Sequence, residues 1–163
     1  MRADDYDANP AVSETDPRRF LQRGDSGKLR ADVVDHVFKY GEQVDTPMVG
    51  DWNGDGIDQI AVFRGGKWLL DSDGDGRWTD RDQKVEYGQP GDQPVVGDFN
   101  GDEIDEIGVV RGNVWIIDSD GDQRITGNDQ QIILPRPSPD SQPVVGDFDG
   151  DGLDEPGYYD EAG

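Results

Sequence analysis

Val49-Gly50-Asp51-Trp52-Asn53-Gly54-Asp55-Gly56-Ile57-Asp58 returns twice along the chain. It comes back as Val96-Gly97-Asp98-Phe99-Asn100-Gly101-Asp102-Glu103-Ile104-Asp105 and as Val145-Gly146-Asp147-Phe148-Asp149-Gly150-Asp151-Gly152-Leu153-Asp154. Oxygen-bearing side chains at alternate positions, with glycines between them, are what a hard cation such as Ca2+ takes from a short loop. In the first copy Asp51, Asn53 and Asp55 would supply side-chain oxygens and Ile57 its carbonyl. Asp98, Asn100, Asp102 and Ile104 repeat those roles, and so do Asp147, Asp149, Asp151 and Leu153.

Between these copies lies a second kind of acidic loop, Asp71-Ser72-Asp73-Gly74-Asp75-Gly76-Arg77-Trp78-Thr79-Asp80-Arg81-Asp82, repeated over residues 118–129. Its twelve positions follow the spacing of an EF-hand calcium loop without the flanking helices. Side-chain oxygens come from Asp71, Asp73 and Asp75, or from Asp118, Asp120 and Asp122. The carbonyl of Arg77 or Arg124 follows, and Asp82 or Asp129 closes the loop. Aspartate at the closing position is shorter than the usual glutamate, so modest affinity is expected. The sixth position of each loop needs a sharp turn with positive φ. Gly56, Gly76 and Gly152 suit it, whereas Glu103 and Gln123 take the same place in the second unit at a cost of roughly 1 to 2 kcal/mol each. Weaker calcium binding is expected there.

The spacing of these loops sets the architecture. Pro47, Pro94 and Pro143 begin successive units, and Arg64, Trp68 and Asp71 match Arg111, Trp115 and Asp118 at 47 residues. Each unit holds four short apolar runs bounded by Gly, Asp or Pro: residues 47–50, 59–64, 67–70 and 84–87 in the first. Gly65-Gly66 and Gly112-Asn113 are two-residue hairpin turns tolerant of positive φ. Runs such as Ile60-Ala61-Val62-Phe63 are apolar on both faces, as strands between neighbouring sheets are, and none is long enough for a helix.

An all-β chain of β-propeller blades is therefore predicted: four-stranded antiparallel sheets with a repeat of about 47 residues. Residues 1–19 read as a flexible acidic leader, 20–46 as the second half of a blade, 47–93 and 94–142 as full blades, and 143–163 as the first half of another. Two full and two half blades make an incomplete ring. Either the chain is a fragment of a longer protein or several chains complete one ring, and in both cases the half blades leave exposed strand edges through which an isolated chain could self-associate.

Composition sharpens this picture. Leu, Ile, Val and Phe make up about a fifth of the 163 residues, and the net charge is -22. More than half of the 37 acidic residues fall inside the five loops. Divalent ions would cancel much of that repulsion and supply folding free energy directly. So acidic a chain argues against nucleic acid and anionic membranes as partners. Cysteine is absent, excluding disulfides and Cys-based zinc sites, and no run is long enough to insert in a membrane.

The Gly-Asp-Phe-Asn-Gly-Asp-Gly type of loop before an apolar strand resembles the FG-GAP and VCBS repeats of integrin-like β-propellers, over roughly residues 36–160. The resemblance implies calcium held between the first two strands of each blade, and adhesion or recognition rather than catalysis. In those repeats the closing carboxylate is usually the ninth loop residue. Here Asp58, Asp105 and Asp154 are eighth and Gln59, Glu106 and Glu155 ninth. Either position could close the site.

The expected function is a calcium-binding module for adhesion or for recognition of a protein or glycan, with the ions mainly structural. The alternative is the non-catalytic propeller portion of an extracellular polysaccharide-degrading enzyme. Loops of modest affinity fill where calcium is millimolar, which points to an extracellular or cell-surface setting. Residues 1–19 lack the apolar core of a signal peptide, so the export signal is expected elsewhere in a longer protein. His36 is the only histidine and aligns with Gln83 and Gln130, which offers no catalytic constellation. Arg23-Gly24-Asp25-Ser26 has the form of an integrin-recognised tetrapeptide, but reads as chance in a chain this rich in Gly and Asp. Trp52, Phe99, Phe148, Trp68 and Trp115 recur with the repeat and are expected in the packing between blades. Arg64 and Arg111 are expected to pair with the acidic loops.

Overall fold

The computed structural model describes residues 39–161. The leader, His36 and the 23–26 tetrapeptide lie outside the described residues, as does most of the half blade expected over 20–46. Among the described residues there is no helix, and hence none long and apolar enough to cross a membrane.

Ten strands form three antiparallel sheets. The first contains β1 (Thr46–Gly50), β2 (Gln59–Arg64), β3 (Lys67–Leu70) and β4 (Gln83–Glu86), paired in that order. The second repeats the order with β5 (Gln93–Gly97), β6 (Glu106–Arg111), β7 (Val114–Ile117) and β8 (Gln130–Ile133). The third is the pair β9 (Gln142–Gly146) and β10 (Glu155–Tyr159). Registers match across the repeat: Val49 lies opposite Ile60, Val96 opposite Ile107 and Val145 opposite Pro156.

The turns behave as their residues require, with one exception. Gly65 and Gly66 take φ of 54° and 93°, which closes the β2–β3 hairpin with a twist suited to the strands. In the second sheet only Gly112 is left-handed, at 65°; Asn113 is not, so this pair does not repeat the first.

Faces apolar on both sides are buried on both sides. Ala61, Phe63, Trp68 and Leu70 of the first sheet pack with Ile107, Val109 and Ile116 of the second. Val95, Val110 and Trp115 then pack against Val145 and Tyr158 of the third. Trp68 and Trp115 are fully buried; the Trp68 indole N–H donates to Tyr87 O at 3.0 Å and that of Trp115 to the Tyr158 hydroxyl at 3.2 Å. Trp52 lies half-buried against the first core. Phe148 departs from its counterparts: it is 64% exposed, because no described segment packs on the outer face of the third sheet.

The first strands of the three sheets meet. β1 contacts β5 and β5 contacts β9, around a hollow of about 490 Å³ lined by Pro47, Met48, Pro94, Val95, Pro143 and Val145. The acidic loops of the first kind leave these strands at one end, which brings them side by side.

Candidate metal centre

Each loop of the first kind wraps around its first aspartate. Asp51 Oδ1 accepts from the N–H groups of Asn53, Gly54 and Asp55 at 3.3, 2.7 and 3.2 Å, and Oδ2 from Gly56 at 2.7 Å. Asp98 receives Gly101 and Asp102 on Oδ1 and Glu103 on Oδ2; Asp147 receives Gly150 and Asp151, then Gly152, in the same way. The turn to the sixth residue demands left-handed backbone in every case. Gly56 has φ of 80° and Gly152 91°, and Glu103 is forced to 67° despite its side chain. In the second kind of loop Gly76 sits at 72° and Gln123 at 59°.

The eighth and ninth residues separate cleanly. The ninth turns inward over its own loop: Gln59 accepts from Trp52 N–H at 2.9 Å, Glu106 from Phe99 N–H at 3.0 Å and Glu155 from Phe148 N–H at 2.8 Å. Asp105 and Asp154, in the eighth position, reach sideways to the preceding loop instead. Asp105 Oδ2 accepts from Asp51 N–H at 2.8 Å while Asp105 N–H donates to Asp51 O at 3.0 Å. Asp154 makes the same two bonds with Asp98, at 3.0 and 2.8 Å. These carboxylates join neighbouring units rather than close their own loops. Asp58 is exposed.

Three sets of acids bring one oxygen each to within 4.8 Å of one another: Asp147, Asp149, Asp151 and Glu155; Asp71, Asp73 and Asp82; Asp118, Asp120 and Asp129. Asp75 and Asp122 fall outside these sets and cap the N–H groups of Arg77 and Arg124, both at 2.8 Å. The loops at Asp51 and Asp98 form no such set of acids: amide side chains stand at Asn53, Gln59 and Asn100, whose oxygens are ligands of the same hard type. The first offers amides at Asn53 and Gln59, and the Gln59 amide donates to Ile57 O and Asp55 Oδ1. In the other, Asn100 Nδ2 donates to Glu106 Oε1 at 2.8 Å. Donor N–H groups there occupy oxygens that a cation would use.

The loops of the second kind hold a different kind of aspartate. Asp71 and Asp118 are 1% and 2% exposed. One oxygen of each accepts a single N–H, from Gly76 at 2.8 Å or Gln123 at 2.9 Å, and the other, Oδ1, has no donor. Asp129 Oδ1 is likewise buried and unpartnered. Burial, and then the neighbouring carboxylates, push Asp71 and Asp129 up and raise Asp118 to about 6. Burial also lifts Glu106 to about 8. At Asp51 burial acts the same way but is outweighed by the four N–H donors, which hold it below the usual carboxylate range. An unpartnered buried carboxylate oxygen is costly, and a cation is the group that satisfies it without adding a proton. The donor set at Asp71, Asp73 and Asp82 and at Asp118, Asp120 and Asp129 therefore fits a hard divalent ion.

Three features escape a reading of single loops. Arg64 pairs with Asp45 and Glu42, and Arg111 with Asp92 at 2.8 Å, all in the turns before β1 and β5 and not in the five loops. The sideways role of Asp105 and Asp154 carries no local signal. Tyr40 and Tyr87 sit against the loops of the second kind, and their spacing of 47 residues was a usable clue. No family model, curated protein or solved structure matches the chain.

Proposed function

We propose that the chain is a calcium-stabilised repeat module of the β-propeller type, similar to FG-GAP and VCBS repeats, that serves adhesion or recognition of a protein or glycan outside the cell. The observation that carries the metal assignment is the pair of buried, donorless aspartate oxygens at Asp71 and Asp118, each inside an acidic loop with EF-hand spacing. The four-carboxylate set at Asp147 supports it independently. Blade-like sheets in series, with first strands side by side around a hollow, support the propeller arrangement.

Calcium acts here as scaffolding. Every candidate site is made from residues of the repeat itself, and ligand specificity belongs to the surfaces that vary between units.

Thermal unfolding of the whole chain in calcium and in excess EDTA tests the assignment. A site held at a hundred times its Kd contributes about 2.7 kcal/mol. Three such sites should raise the melting temperature by more than about 10 °C. An unchanged melt in EDTA would sink the proposal.

A further inference from the structure

Tyr87 follows β4 directly and keeps its pairing, since its N–H donates to Gly66 O at 2.9 Å. Its ring is fully buried in the core that the first two sheets share, together with Phe63 and Val85 of the first and Ile107, Val109 and Ile116 of the second. Its hydroxyl ends beside the 118–129 loop, near Asp129, Asp118 and Asp120, and approaches Asp129 without reaching hydrogen-bond geometry. The hydroxyl has no partner, and neither have Asp118 Oδ1 and Asp129 Oδ1. One repeat earlier Tyr40 lies edge-on to Trp78 of the 71–82 loop, with ring centroids 6.1 Å apart. Its hydroxyl is again buried and unpartnered, and Asp82, Asp71 and Asp73 are its acidic neighbours. Asp71 Oδ1 is the matching donorless oxygen.

A buried, unpartnered phenol hydroxyl beside buried donorless carboxylate oxygens, Asp118 Oδ1 and Asp129 Oδ1 in one loop and Asp71 Oδ1 in the other, is an incomplete network. A cation drawn into the loop would fix the carboxylates on one side, leaving their remaining lone pairs for a donor on the other. Outer groups of this type orient metal ligands elsewhere in protein chemistry.

We propose that Tyr87 and Tyr40 are positioning residues of the ion sites at Asp118 and Asp71: each hydroxyl donates to the loop carboxylates, so that the Asp118 site of the second sheet is completed by the segment leaving the first. This rests on the calcium assignment above. The ion then couples two structural units, although all its direct ligands come from one.

The test uses Tyr87→Phe and Tyr40→Phe in the whole chain, titrated calorimetrically with calcium chloride and melted in EDTA and in saturating calcium. Each variant is expected to keep the number of ions bound and to weaken one site roughly tenfold, the size of one hydrogen bond to a charged group. In EDTA each should melt no lower than the parent, because a hydroxyl without a partner has been removed. Unchanged affinity in both variants would overturn the role. So would a drop in the EDTA melt equal to the drop in calcium, which marks a packing residue. If the parent itself took up no calcium, the metal assignment would fall with it; an intact parent titration confines the failure to the tyrosines.

Discussion

Asp51 and Asp118 open loops of similar lettering, yet they meet opposite surroundings. Asp51 is wrapped by four backbone N–H groups and held below the ordinary carboxylate range, while Asp118 is buried with one bare oxygen and raised to about 6. The cause lies in the path of the chain. A short loop from β1 to β2 must turn at once, so its own amides converge on the first side chain. The longer loop from β3 to β4 lets its middle swing outward, and Asp71 and Asp118 keep only the N–H of the sixth residue. A loop that satisfies itself is preformed without a ligand; one with an unsatisfied buried charge depends on it.

That contrast predicts different fates for one substitution. Asp51→Asn should destabilise the chain in EDTA by about 1.5 to 3 kcal/mol, because charge-assisted bonds to the turn are lost. Asp118→Asn should be neutral or stabilising in EDTA, since a buried unpartnered charge disappears. In saturating calcium it should forfeit about 2.7 kcal/mol, the contribution of a site held at a hundred times its Kd. Urea unfolding in the two conditions measures both. Equal losses for the two variants in EDTA would erase the distinction between the loops.

Acidity provides a milder probe. Asp118 at about 6 and Glu106 at about 8 bind protons more tightly in the folded chain than in the unfolded one. In EDTA the stability these two groups contribute is therefore fully present near pH 4 and is lost as pH rises through about 8. If the proposed ion takes the place of a proton at Asp118, calcium should flatten the part of that slope below about pH 6. Melting temperatures at pH 5 and pH 8 decide it: a chelated chain more stable at pH 8 would contradict the burial of these groups.

The smallest effect concerns the strained sixth positions. Glu103→Gly and Gln123→Gly should each stabilise the chain by about 1 kcal/mol, since both residues are left-handed in the native fold. Gln123→Gly should also tighten calcium binding at the 118–129 loop. Calorimetry of the two variants checks both effects, and unchanged stability would mean that the side chain is compensated locally.

Much of this was legible in the letters. Strand ends at Gly65-Gly66, Gly112 and the acidic loops fall within a residue of the pattern, because glycine and aspartate interrupt β pairing wherever they cluster. The left-handed sixth residue followed from the sharp turn alone. The choice between eighth and ninth carboxylates was not legible. Asp105 and Asp154 are claimed by the backbone of a loop more than 50 residues away, and no local pattern contains that partner. Phe148 was misread for a similar reason: it shares its letter with Phe99 but not its neighbours. Arg64 shows the same limit, since the acids it pairs with sit in a turn and not in one of the five acidic loops.

The paired bonds from Asp105 to Asp51 and from Asp154 to Asp98 carry one more meaning. The second and third loops of the first kind each bring a plug in the eighth position, and the first and second each offer a socket at the first. Plug and socket are written into the same ten letters, so copying a unit copies both halves of the joint. A gene segment duplicated in tandem would arrive already fitted to the neighbours on either side. Lengthening such a chain would need no new interface to evolve, and its period would be kept by the joint itself.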